Sequence, residues 1–185
     1  WHLCYQYYHP ANPVEGMHWG HASSEDLVHW TTHEPVIAPD EHGHIFSGSS
    51  VFDAKNDSGF FDSDGGIVAA YTYWNPETHF QCQAIAHSAD GHTFTKYEGN
   101  PVLPELPDDK DFRDPKVFWH QPTRRWVMVV AGGKLRFYTS TNLRDWEFAG
   151  LQEDIWTECP DLFPLTVEGE PETTKWILSG GGHWY

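Results

Sequence analysis

The chain has 185 residues, long enough to bury one core, and sets 27 acidic against 11 basic side chains for a formal charge of −16. Such a surface repels phosphate backbones and anionic lipid, which excludes nucleic acid and membrane surfaces as partners and favours a neutral ligand. Aromatic residues make up 16% of the chain, ten of them Trp, which supplies flat faces for sugar stacking beyond those that fill a core.

In chain order, Trp1 to Tyr7 reads as strand, so the start is expected to be cut. Ser24 to Trp30 follows as a turn, and the His-rich stretch Glu41-His42-Gly43-His44 reads as a surface loop. Ser49 to Phe52 is a short strand, Asn56-Asp57-Ser58 matches the N-glycosylation acceptor pattern, and Ile67 to Thr72 and Ala84 to His87 are further strands. Ser88 to Phe94 is a second turn, and the acidic run Pro107 to Asp111 reads as a solvated loop rather than a calcium site, since EF-hand spacing is absent. Strands then fall at Pro115 to Phe118, Arg125 to Ala131 and Leu135 to Thr139, a third turn at Ser140 to Trp146, and strands at Pro160 to Phe163 and Lys175 to Ser179. No helical periodicity is sustained and no long apolar run or leader pattern occurs, so the class is all-β, with export left open. Cys4, Cys82 and Cys159 are an odd number at wide spacing and predict neither a disulfide framework nor a zinc site.

The three turns share one pattern of seven residues: Ser, then Asp or Asn two positions on, then an aromatic. They recur at intervals of 64 and 52 residues, near the roughly 40 to 50 residues of a four-stranded propeller blade. About three blades are therefore expected, with a two-sheet sandwich as an alternative that would not require the repeat. Aligning the blades sets Phe46-Ser47-Gly48-Ser49, Phe112-Arg113-Asp114-Pro115 and Glu158-Cys159-Pro160-Asp161 at equivalent places, where inner strand ends converge on the axis. Asp114 and Glu158 then face each other, and their mutual repulsion is expected to raise one pKa and leave an acid beside a carboxylate, with Arg113 keeping its neighbourhood ionised. Read structurally, Arg113-Asp114-Pro115 is a turn with a local ion pair and Glu158 an exposed strand end.

Together, Tyr5-Gln6-Tyr7 followed by His18-Trp19-Gly20-His21-Ala22, Phe46 to Ser49, Phe112-Arg113-Asp114-Pro115-Lys116-Val117 and Glu158-Cys159-Pro160-Asp161-Leu162 resemble glycoside hydrolase family 32, the invertases, inulinases and levanases. The resemblance extends along essentially all of the chain. It implies a five-bladed β-propeller, of which residues 1–185 are a partial catalytic domain, usually followed by a β-sandwich. It also implies hydrolysis of β-fructosidic bonds in sucrose or fructan with retention, through a covalent fructosyl intermediate, and no metal or organic cofactor. By motif match Glu158 is similar to the general acid/base and Asp114 to the carboxylate that binds fructose hydroxyls and stabilises the transition state. Gln6, Trp19, Phe46, Ser47, Arg113 and Cys159 match residues around the fructose subsite, and Trp19 and Trp74 are expected to wall it by stacking.

Three departures stand out. The family carries its nucleophilic Asp in a Trp-Met-Asn-Asp-Pro-Asn-Gly stretch upstream of the segment where this sequence begins, so the 185-residue chain by itself is expected not to turn over substrate. Cys4 stands where Phe is usual, and Val14 where many members have a Trp of the subsite wall. Levan or inulin ranks ahead of sucrose as substrate. Fructosyl transfer on the same scaffold, and a fructan-binding propeller without catalysis, are the rival readings.

Overall fold

The structure, a computed structural model, describes residues 1–8, 16–62, 65–107 and 109–181. Short runs of β-branched and aromatic residues between Gly, Pro, Asn and Asp form β1 (His2–Tyr8), β2 (Met17–Ser23), β3 (Thr31–Ile37), β4 (His44–Asp53), β5 (Gly66–Trp74), β6 (Gln81–Ser88) and β7 (Thr95–Lys96). They continue as β8 (Phe112–His120), β9 (Arg125–Gly132), β10 (Leu135–Ser140), β11 (Glu147–Gln152), β12 (Asp161–Val167) and β13 (Glu170–Ser179). No helix occurs among the described residues.

The strands make four antiparallel sheets in up-and-down order, β1-β2-β3, β4-β5-β6-β7, β8-β9-β10-β11 and β12-β13, the units of a partial β-propeller. The expectation of about three blades holds as two full sheets flanked by a three-stranded and a two-stranded one. The turn repeat joins β2 to β3, β6 to β7 and β10 to β11, which aligns β1 with β5 and β9, the second strands of their sheets. No described strand pairs with the other edge of β1.

Stacked sheets bury the middle strands on both faces, and the two-residue period sends alternate side chains into different cores. Ala69, Tyr71 and Tyr73 of β5 meet Trp19, Ile37 and Ile45 between the first two sheets. Val68 and Ala70 meet Phe112, Val117, Met128 and Val130 between the second and third. Val129 and Ala131 turn to Leu162 and Leu178 of the fourth.

The three turns are chemically the same. The Ser24, Ser88 and Ser140 hydroxyls accept the amides of Leu27, Gly91 and Leu143, each at positive φ (64°, 75° and 62°). Asp26, Asp90 and Asn142 then accept the next two amides through Oδ1.

Some local readings change. His44 opens β4 rather than ending a loop, with its ring edge-on to Trp74. The acidic run is not simply solvated: Asp109 pairs with Arg136 and Asp111 with Arg113, while Asp108 lies outside the described residues. The Asn56 side chain is already bonded to both backbone groups of Phe61, so this acceptor is built into a turn. All three cysteines are free thiols, with burial pushing Cys4 up to about 11 and Cys82 to about 12. Val14 lies outside the described residues.

Candidate active site

Two inner strands carry an irregularity at the same end. The β4–β5 register slips between Ile45 and Gly48, and the β8–β9 register between Arg113 and Lys116. Such bulges re-aim side chains out of the pleat, here those of Phe46 and Ser47 and of Asp114. At Gly48 a Cβ would stand 2.0 Å from the Ala70 carbonyl oxygen, so no larger residue fits that approach. Pro115 has no amide to donate, which suits a broken ladder. Asp114 and Cys159 both take left-handed backbone, with φ of 61° and 45°. Each such residue costs on the order of 1–3 kcal/mol, a strain typical of sites that must hold one geometry.

What holds that geometry is a buried polar chain. The Asp114 amide donates to Thr72 Oγ1 at 2.9 Å, and the Thr72 hydroxyl donates to Gln83 Oε1 at 2.8 Å. Gln83 Nε2 donates to the Phe112 carbonyl at 2.6 Å, and Gln81 Oε1 accepts the Phe112 amide at 2.9 Å. Thr72, Gln81 and Gln83 are buried and were not singled out from sequence. A signal was there, since a polar residue inside an otherwise apolar, doubly covered strand requires a partner.

Two contacts, 45 residues apart in sequence, join the start of β8 to the segment before β12. The Cys159 amide donates to Asp114 Oδ2 at 2.9 Å, and Arg113 Nη2 meets Glu158 Oε1 at 2.7 Å. Arg113 also reaches Asp111 at 2.6 Å, so it bridges two carboxylates. Asp114 is 6% exposed, whereas the Glu158 side chain is 50% exposed. The pKa of Asp114 is raised, first by burial, against the Cys159 amide and the Arg113 charge that lower it. Repulsion from Glu158 contributes less than any of these, which corrects the expectation that the second carboxylate is the main cause. The Cys159 thiol is also pushed up, first by burial and then by Asp114.

Ser47 stands between two adjoining hollows. One, of about 430 Å³, is lined by Gln6, Trp19 and Ser47, among others; the second, of about 170 Å³, by Ser47, Asp114 and Cys159. Gln6 Nε2 donates to Ser47 Oγ at 3.3 Å, and the Ser47 hydroxyl engages the Cys159 thiol. Trp19 is 4% exposed and donates its indole N–H to the Phe46 carbonyl at 2.9 Å. It therefore backs the first hollow rather than offering an open stacking face. Trp74 lies flat on Phe46, ring centroids 5.2 Å apart and 12° between planes, and lines neither hollow. The predicted residues thus converge, with the Phe46–Trp74 pair one layer back. Larger hollows along β12 and β13 contain none of them.

Comparison with known proteins agrees with this geometry. The N-terminal domain model of glycosyl hydrolases family 32 matches residues 1–183. A levanase of Bacillus subtilis is 51% identical over 96% of this chain, and an extracellular exo-inulinase of Meyerozyma guilliermondii is 45% identical over 96%. The chain spans 27% and 36% of the length of these two relatives. The solved structure of β-fructofuranosidase from Schwanniomyces occidentalis, complexed with fructosyl-erythritol, superposes with a TM-score of 0.82 at 40% identity, over 98% of this chain and 38% of that one. Sequence, inner-strand geometry and superposition all lead to one assignment: the chain belongs to glycosyl hydrolase family 32.

Proposed function

We propose that the protein hydrolyses terminal β-fructosidic bonds of fructans, levan or inulin ahead of sucrose, and that residues 1–185 are part of its catalytic propeller. The observation that carries this reading is the pairing of Asp114 and Glu158, through the Cys159 amide and Arg113, beside hollows sized for a sugar ring. The names of the relatives, levanase and exo-inulinase, support the substrate class.

In this reading Glu158, half-exposed, protonates the leaving oxygen and later activates water. Substrate has to compete with Arg113 for its carboxylate. Asp114, fixed and desolvated, accepts fructose hydroxyls, and those bonds strengthen as positive charge develops on the ring. Gln6, Ser47 and Cys159 supply further polar contacts, and Trp19, with the Phe46–Trp74 pair behind it, forms the wall. The nucleophilic carboxylate, which no motif of this chain matches, is assigned in this reading to the rest of the full-length protein. The remaining length closes the propeller and adds a β-sandwich.

The test incubates the protein at its natural length with levan, inulin and sucrose, and follows released sugars and the anomer first formed. Fructose released from chain ends with retention is expected, faster from a fructan than from sucrose. Transfer of fructose to a sugar acceptor in place of water, or binding without turnover, would overturn the reading. The 185-residue chain by itself is expected to release no fructose.

A further inference from the structure

Four histidines distant in sequence meet at the rim between the first two sheets: His2 on β1, His21 on β2, His33 on β3 and His92 in the turn between β6 and β7. The rings of His21 and His33 stack at 4.8 Å, and His92 stands edge-on to both, at 5.2 and 4.9 Å. One ring nitrogen each from His21, His33 and His92 falls within a group no wider than 4.8 Å. No local metal-binding spacing marks these residues, since only the fold brings them together.

Hydrogen bonding leaves a particular set of nitrogens available. His21 is fully buried; its Nε2 lies 3.0 Å from His2 Nδ1, while its Nδ1 has no hydrogen-bond partner among the described residues. His33 uses Nε2 with the Ser23 hydroxyl at 2.7 Å, which leaves its Nδ1. A ligating histidine characteristically binds metal through one ring nitrogen while a neighbour holds the other, and His2 and Ser23 are placed as those neighbours. A buried imidazole nitrogen without a partner is otherwise costly.

We propose that His21, His33 and His92 bind a divalent transition-metal ion of the zinc type, clamping the first sheet to the second. Imidazole donors favour such ions over magnesium or calcium, which take oxygen ligands. Zinc–nitrogen bonds of about 2.0–2.1 Å in a tetrahedral site set ligand nitrogens a little over 3 Å apart, so the three rings have to close inward and the stacked His21 and His33 rings to turn until their in-plane lone pairs converge. His92 is exposed, and an open cleft lined by His2, Ser23, Asp26 and His92 admits an ion from solvent. The fourth position falls to water.

The test uses the protein at its natural length, stripped with a chelator and titrated with Co²⁺ and then Zn²⁺. One Co²⁺ per chain with the visible absorption of a tetrahedral site is expected, displaced by Zn²⁺, unaffected by Mg²⁺ or Ca²⁺, and accompanied by a higher Tm. His92→Ala, on an exposed turn, should abolish this binding and leave fructan hydrolysis intact, and His33→Ala should also abolish it. His2→Ala should weaken it by about 10–100-fold, as loss of an outer partner does. Absence of binding by the folded wild type, or undiminished one-to-one binding in both His92→Ala and His33→Ala, would overturn the proposal.

Discussion

The outer turns and the inner strand ends use one device, a short side chain accepting backbone amides, with opposite results. At the rim, Asp26 and Asp90 each accept two amides in open solvent, and their carboxyls are held well below the usual range. For Asp26 the first cause is the His29 side chain, for Asp90 the Thr93 amide. At the axis Asp114 accepts the Cys159 amide but is buried, and desolvation outweighs the bond and pushes its pKa up. The number of donors favours the charge, and exposure decides whether that preference survives. The rim therefore repeats, because its task is backbone geometry, while the inner ends repeat only their bulge and vary the side chain that the bulge presents.

The strongest test of that division removes the two acids in the natural-length protein. Glu158→Gln should lower kcat by about 10²–10⁴, most for poor leaving groups, as loss of a proton donor does. Asp114→Asn should lower it by about 10²–10³ whatever the leaving group, because the role proposed for it is to stabilise charge on the sugar ring. Rates on sucrose, levan and an activated aryl β-fructoside separate the two, and equal leaving-group dependence would break the assignment. A smaller effect is expected from Thr72→Val, which keeps shape but deprives the buried Asp114 amide and Gln83 Oε1 of their partner. Stability should fall by about 1–3 kcal/mol, read by denaturant unfolding, and kcat should fall because Asp114 loses its support. Unchanged kcat in a folded Thr72→Val protein would show that the chain supports folding alone.

This contrast also explains what the sequence revealed. The Ser-x-Asp/Asn turns are legible because Ser24, Ser88 and Ser140 each do the same local work, bonding amides within five residues. The middle strands were legible by their runs of apolar residues. Asp114 and Glu158 emerged from aligning the inner strands and from the motifs around them, since nothing local distinguishes an axial carboxylate from a turn. Thr72, Gln81 and Gln83 went unremarked because their partners, Asp114 and Phe112, lie on another sheet. The histidine cluster is the extreme case: its members come from three strands and a turn, with no spacing rule between them.

The smallest expected effect belongs to the rim, and the protein supplies its own control there. Asn142 makes the same two amide bonds in the third turn as Asp26 does in the first, without a charge. Asp26→Asn should therefore keep the turn but lower Tm modestly at neutral pH, by what the charge adds to the two amide bonds and to the exposed contact with His29. Acid should distinguish the two. A carboxyl whose folded pKa lies below its unfolded value stabilises the fold above the unfolded pKa, and that contribution is lost as pH falls through the folded one. Wild-type Tm should accordingly fall more steeply on acidification than that of the Asp26→Asn protein, the curves converging at low pH. Parallel curves would mean that the carboxylate at this turn acts as a neutral acceptor, and that its charge plays no part in the contrast with Asp114.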